Sequence, residues 1–216
     1  ITLITGILVF TPLRHQEKAY GNREGYIILT FIWVLFSAFG ALPYLFTSSS
    51  GNLTDAFFES ISGFTTTGAT IFRDVESLPR GILFWRSLTQ WIGGITVITL
   101  AFNVLPVSKS LNIQLPTAEF SGLLTDKIHP KVVETTKRLL VVYIVLTIAE
   151  VVLLSIGKMP VFEAVCHSFS TLSTGGFSTR NAGIAAFPVP FVKAILILFM
   201  LFAGMNPALF YFAFKR

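Results

Sequence analysis

Apolar residues along this chain come in long unbroken runs, not at the two-residue spacing of a half-buried strand. From Gly25 to Thr54 no Asp, Glu, Lys or Arg appears, and the same holds from Ser87 to Ser108 and from Ala194 to Phe214. A helix crossing a bilayer needs about 20 such residues, so the pattern predicts three spans. A fourth run, Leu139 to Gly157, is broken only by Glu150 and reads as a span carrying one ionisable group. Ile1 to Leu13 is apolar but too short to cross alone. It is expected to be the cytoplasmic end of a preceding helix, and it lacks the basic start and small-residue cleavage site of a signal peptide.

Between the paired spans lie two shorter apolar stretches, Leu53 to Phe64 and Val161 to Thr171. Each makes about 17 Å of helix, too little to cross and too apolar for water, so each is expected to be a re-entrant half helix entering from outside. Asp55 is placed to cap the first, and Pro160 suits the first turn of the second. Both stretches run from Phe-Glu into Ser/Thr-Thr-Gly, which pairs Glu59 with Glu163 and Gly68 with Gly175, the second copy holding three more residues in between. The expected fold is an all-α integral membrane protein of two tandem helix, re-entrant pore loop, helix repeats. Residues 1–24 would end a preceding helix and form a cytoplasmic loop, 25–108 the first repeat, 109–138 a cytoplasmic linker, and 139–216 the second repeat.

Composition agrees: of 216 residues 53% are hydrophobic, only 12% are charged, and mean hydropathy is +0.73, whereas soluble domains are about a quarter charged. The net charge of +5 implies no nucleic acid, because position matters more than sum. Arg14, Lys18 and Arg23 precede the first span, and Lys109, Lys127, Lys131, Lys137 and Arg138 lie between the second and third. Basic residues gather on cytoplasmic loops, which puts both segments inside. Between the first two spans Arg73, Arg80 and Arg86 are offset by Asp55, Asp74 and Glu76, which suits an outer loop. A lone Cys166 excludes a disulfide within the chain.

Candidate chemistry centres on the segments after the half helices. Non-helical backbone at membrane depth survives only where protein buries it or where it lines a wet cavity. Thr65 to Thr70 is poor in apolar surface and rich in carbonyls that could replace the water around a cation, with Gly68 allowing successive carbonyls to face one axis. A polar turn outside the membrane is the plainer alternative for either copy alone. Glu150 reads either as a functional acid in a span or as a group near the outer end of a tilted helix. Glu59 and Glu163 read as cation-attracting groups at a mouth or as braces for neighbouring loops. His167 and Ser168 invite a nucleophile-and-base reading, but adjacent helix positions face apart. Gly93 and Gly94 are expected to let helices pack closely.

The strings G-A-L-P at Gly40 to Pro43, F-E-S-I-S-G-F-T-T-T-G-A-T at Phe58 to Thr70, L-P-R-G-I-L-F-W-R-S-L-T-Q-W-I-G-G at Leu78 to Gly94 and H-S-F-S-T-L-S-T-G-G-F-S-T at His167 to Thr179 resemble the membrane subunits of the Trk/Ktr/HKT superfamily of potassium transporters. The resemblance implies a voltage-gated-like ion channel architecture and potassium uptake across the bacterial inner membrane, through a pore ringed by four such repeats, two of them here. Thr66, Thr67, Gly68 and Ala69, with Ser173, Thr174, Gly175 and Gly176, would line the filter. Gly204, Asn206 and Pro207 would contribute to gating beneath it. The implied partners are the remaining two repeats, a second copy in a homodimer, membrane lipid and a cytoplasmic nucleotide-binding regulatory subunit; no cofactor is implied, and no enzymatic activity. T-V-G-Y-G is missing, so selectivity is expected to be looser than in dedicated potassium channels. The rival readings are a two-pore-loop cation channel completed by dimerisation and an intramembrane hydrolase using Ser168.

Overall fold

The first apolar run does not form one helix. In this computed structural model, which describes residues 22–104 and 128–205, α1 (Asn22–Gly40) gives way to a short α2 (Leu42–Phe46). Pro43 has no N–H to donate and its ring crowds the preceding turn, while Gly40 leaves room that a Cβ would take from Ser60 and Phe64 of the next helix. The freed Gly40 carbonyl accepts the Trp85 indole N–H at 3.0 Å.

The half helices are α3 (Leu53–Phe64) and α6 (Val161–Leu172), flanked by α4 (Arg80–Val104), α5 (Ile128–Ile156) and α7 (Pro190–Gly204). A 3₁₀ turn at Gly183–Ala186 precedes α7. Asn52, not Asp55, caps α3: its side chain accepts the Asp55 N–H at 2.8 Å. Asp55 lies inside the first turn, where its charge still favours the helix N-terminus. Pro160 stands at the cap position of α6, one place before the first turn. α5 begins at Ile128, within the stretch read as linker. No strand occurs among the described residues.

One described helix is long and apolar enough to cross a membrane by itself, Thr136–Ile156 within α5. Its exposed Val141, Ile144, Val145, Ile148, Val152 and Ile156 recur every three or four residues, a stripe that lipid covers at no cost and water would not. The other expected spans are helical but fall short on this criterion. α4 opens on Arg80 and Arg86, and α7 covers only Pro190–Gly204, the part of that run beyond Met205 lying outside the described residues. In packing, α1 lies against α3 and α5 against α6, while α4 runs between the two half helices and touches both.

Candidate functional site

Both half helices end in the same way. Thr66 and Thr174 adopt left-handed backbone, φ +54° and +55°. The Thr66 N–H bonds the Gly63 carbonyl at 3.0 Å and the Thr67 N–H the Ser62 carbonyl at 3.0 Å; Thr174 to Thr171 at 2.9 Å and Gly175 to Ser170 at 2.9 Å repeat the pair. This is a Schellman termination, built on threonine where glycine is usual, at a cost of about 1–2 kcal/mol per site. It spends the last helical carbonyls on the turn itself. Downstream, the carbonyls of Thr66, Thr67 and Gly68, and of Thr174, Gly175 and Gly176, accept no hydrogen bond from the described residues.

The turns set a register that differs from the one the Thr-Gly pairs suggest. Leu53 matches Val161, Phe64 matches Leu172 and Thr66 matches Thr174 without a gap. Gly68, at φ +77°, therefore corresponds to Gly176, at φ +90°, and not to Gly175. Gly175 needs its missing Cβ for another reason: a side chain there would strike the Gln90 amide. The two loops meet, since a Cβ on Gly68 would run into the Gly175 carbonyl oxygen.

α4 holds the loops together along one flank. Arg86 is 1% exposed. Its Nε donates to Glu59 at 2.7 Å, Nη2 to the Thr70 hydroxyl at 3.1 Å and Nη1 to the Ser178 carbonyl at 3.2 Å, while its guanidinium lies 4.3 Å from the Phe177 ring centre. One turn on, the Gln90 side-chain amide oxygen accepts the Phe177 N–H at 3.2 Å. Next, Gly93 abuts the Phe64 carbonyl and Gly94 abuts Ser173 and Tyr143; the glycine pair does serve close packing. Glu59 braces its loop, accepting the Thr70 hydroxyl and the Ile71 N–H at 3.0 Å. Sequence reasoning counted Arg86 only as an outer-loop charge. The signal for its role was an arginine one helical turn before a glutamine at the head of an apolar run.

At the side where both half helices begin, the two repeats are latched. The Asn181 amide oxygen accepts the Val75 N–H at 2.7 Å, its nitrogen donates to Asp74 at 2.8 Å, and its backbone N–H donates to Glu76 at 3.2 Å. Arg180 joins Glu163 at 2.5 Å and Glu76 at 3.5 Å. Glu163 is therefore a brace of this latch, not the counterpart of Glu59. The Asn181 amide, helped by backbone N–H groups of Glu76 and Ser77, holds the Asp74 carboxyl below its usual range. A depressed folded value means the stabilisation is present above the unfolded carboxylate value and is lost as pH falls through the folded one. Melting of the purified protein should thus weaken slightly on acidification below about pH 4, and Asn181→Ala should remove that part of the slope. The group is exposed, so the change is small.

Glu150 is fully buried in α5, and neither carboxylate oxygen has a hydrogen-bond partner within bonding geometry among the described residues. That excludes an outer-end snorkelling role. His167 has both ring nitrogens within hydrogen-bonding distance of other groups, the Glu163 carbonyl at 2.8 Å and the Ser178 hydroxyl at 3.0 Å, and the Ser168 hydroxyl has no partner among the described residues; none of these groups activates Ser168. Gly204 is exposed at the end of α7, and Asn206 and Pro207 lie outside the described residues.

Two half helices, each ending in a turn with bare carbonyls and each set between longer helices, define a pore-loop membrane protein. The whole chain, residues 1–216, matches the family model TrkH, described as a cation transport protein. It is 41% identical over 208 residues to the Trk system potassium uptake protein TrkH of Salmonella typhimurium, covering 95% of this chain and 43% of that one. To the Trk system potassium uptake protein TrkG of Escherichia coli it is 42% identical over 198 residues, 90% of this chain and 41% of the other. Its structure resembles the crystal structure of the potassium transporter TrkH from Vibrio parahaemolyticus, with a TM-score of 0.82 and 35% identity over 99% of this chain and 42% of that one. The chain belongs to the TrkH family of cation transport proteins, and it spans less than half the length of these relatives.

Proposed function

We propose that this chain supplies two of the four filter loops of a pore that takes potassium across the bacterial cytoplasmic membrane. The observation that carries the reading is the meeting of two loops, at Gly68 and Gly175, each bearing three carbonyls without a partner among the described residues. Of the eight expected filter residues, Thr66, Thr67, Gly68, Thr174, Gly175 and Gly176 would replace the hydration shell of the passing ion with backbone oxygens, whereas the Ala69 carbonyl already accepts the Ser62 hydroxyl and the Ser173 carbonyl the Thr174 hydroxyl. The α3 and α6 dipoles point their negative ends at the same place. The names of the relatives, potassium uptake proteins, favour potassium as substrate. The missing T-V-G-Y-G favours looser selection against rubidium and sodium.

A difference in cover supports two further loops. In the second repeat Gly175 and Phe177 are buried beneath Gln90 and Arg86 of α4, whereas their equivalents Thr67 and Ala69 are exposed. An inner helix of another repeat, placed as α4 is placed, would cover them and close the ring. Gly204 is where α7 ends; with Asn206 and Pro207 it would form the gating break below the filter. The homodimer and the nucleotide-binding subunit belong to this reading as partners, the latter facing the basic stretch that includes Lys109 and Lys127.

Single thiols at Thr67 or Thr174 test the pore. In the assembled transporter, Thr67→Cys or Thr174→Cys should make rubidium uptake sensitive to external silver or a small thiosulfonate, and excess potassium should slow the block. Thiols that react fully without changing uptake would sink the reading.

A further inference from the structure

Each loop is tied back to its own half helix by one side chain at the same place, but the two side chains differ. In the gapless register, Glu59 corresponds to His167 and Thr70 to Ser178. Glu59 accepts the Thr70 hydroxyl at 3.0 Å. His167 Nε2 lies 3.0 Å from the Ser178 hydroxyl, and Nδ1 lies 2.8 Å from the Glu163 carbonyl.

The surrounding bonds fix the tautomer. The Glu163 carbonyl can only accept, so Nδ1 carries the proton. Nε2 then accepts from the Ser178 hydroxyl, whose oxygen in turn accepts the Arg180 N–H at 3.0 Å. Each donor in this chain finds one acceptor. A second ring proton would remove the acceptor for the Ser178 hydroxyl, next to a carbonyl that already receives Arg86 at 3.2 Å. Arg86 is also the reason the two braces differ. One buried cation serves both loops, and Glu59 balances it. A second buried carboxylate would find no second buried arginine or lysine among the described residues, since Arg180 is half-exposed and already paired with Glu163 and Glu76, so an uncharged acceptor suits the second brace.

We propose that His167 is a positioning residue for the second filter loop, the neutral counterpart of Glu59, and that this tie contributes to the preference for potassium over sodium. It rests on the filter reading above. Ser178 lies two residues beyond Gly176, so slack in the tie reaches the carbonyls of Gly175 and Gly176 directly. Looser carbonyls fit the smaller ion as well as the larger.

The test is sodium competition against rubidium uptake by the assembled transporter, with membrane-inserted protein measured in parallel. His167→Leu and Ser178→Ala should each lower the potassium-over-sodium preference about tenfold, the scale of one lost hydrogen bond. His167→Gln, a neutral acceptor, should restore most of it, and His167→Glu should not. An unchanged ion ratio in Ser178→Ala, which removes only the tie, overturns the proposal whether or not His167→Leu inserts. Uptake that falls with the ratio intact also overturns it, because that is the signature of a merely structural histidine. Gly68→Ala in the same assay separates the two readings: if it leaves uptake untouched, the filter itself is misplaced.

Discussion

Gly68→Ala is expected to abolish rubidium uptake by the assembled transporter while the chain still reaches the membrane. Two effects act at this position. The backbone is left-handed at φ +77°, which costs an L side chain about 1–2 kcal/mol. The new methyl would also collide with the Gly175 carbonyl oxygen of the other loop, so the strain cannot be relieved without moving one of the oxygens proposed to touch the ion. A loss of about 100-fold is the scale on which an ångström of misplacement costs a site whose groups converge on one atom. Gly183 provides the control. It too is left-handed, at φ +58°, but a Cβ there meets nothing within 4 Å. Gly183→Ala should therefore cost about 1 kcal/mol of stability and leave uptake alone. Equal uptake in both variants would remove Gly68 from the ion path.

Arg86→Met should be the most destabilising single change among the described residues. The arginine side chain is 2% exposed and that of its partner Glu59 0%. Breaking such a pair strands a charge in a dry site at about 3–5 kcal/mol, against a total stability of about 5–15 kcal/mol. The contact with Phe177 adds about 2 kcal/mol when desolvated. Three donors of one planar group reach Glu59, Thr70 and Ser178 at once, which a lysine cannot copy, so Arg86→Lys should also lose most of the effect. The double change Arg86→Met with Glu59→Gln should recover part of the stability, since no charge is left unpaired. Thermal melting of the detergent-purified protein, followed by monodispersity, reads all three. A double variant no better than Arg86→Met would show that packing, not charge, dominates.

The elements that sequence located best were those defined by length. A run of a dozen apolar residues between longer ones admits few fates, and the ends of α3 and α6 fall within a residue of where Phe64 and Thr171 put them. Register was harder. Thr-Gly occurs in both copies, but the second copy has two adjacent glycines, and letters alone cannot say which of Gly175 and Gly176 takes the left-handed turn. Pairing the Phe-Glu strings then forced a gap that the backbone does not have, and it matched Glu59 with Glu163 when the residue in the equivalent place is His167. Asp55 was named as a cap for a related reason: Asn52 and Asp55 both suit helix starts, and only the path of the chain at Asn52, φ −153°, selects between them.

Hydrophobic run length, the placement of Lys and Arg, and two glycine-bearing turns are properties of the string itself, because lipid acts on every stretch of chain by the same rule of length and polarity. They determined a helical membrane protein of two repeats with a half helix in each. The union of those repeats is different in kind. That Arg86 balances Glu59 while serving both loops, that Gly68 and Gly175 come into contact, and that Glu150 lies fully buried all depend on residues far apart in the chain arriving at one place. A buried charge or a crowded carbonyl has its energy only once its neighbours are known, and the packing of α4 between the two half helices is what supplies them.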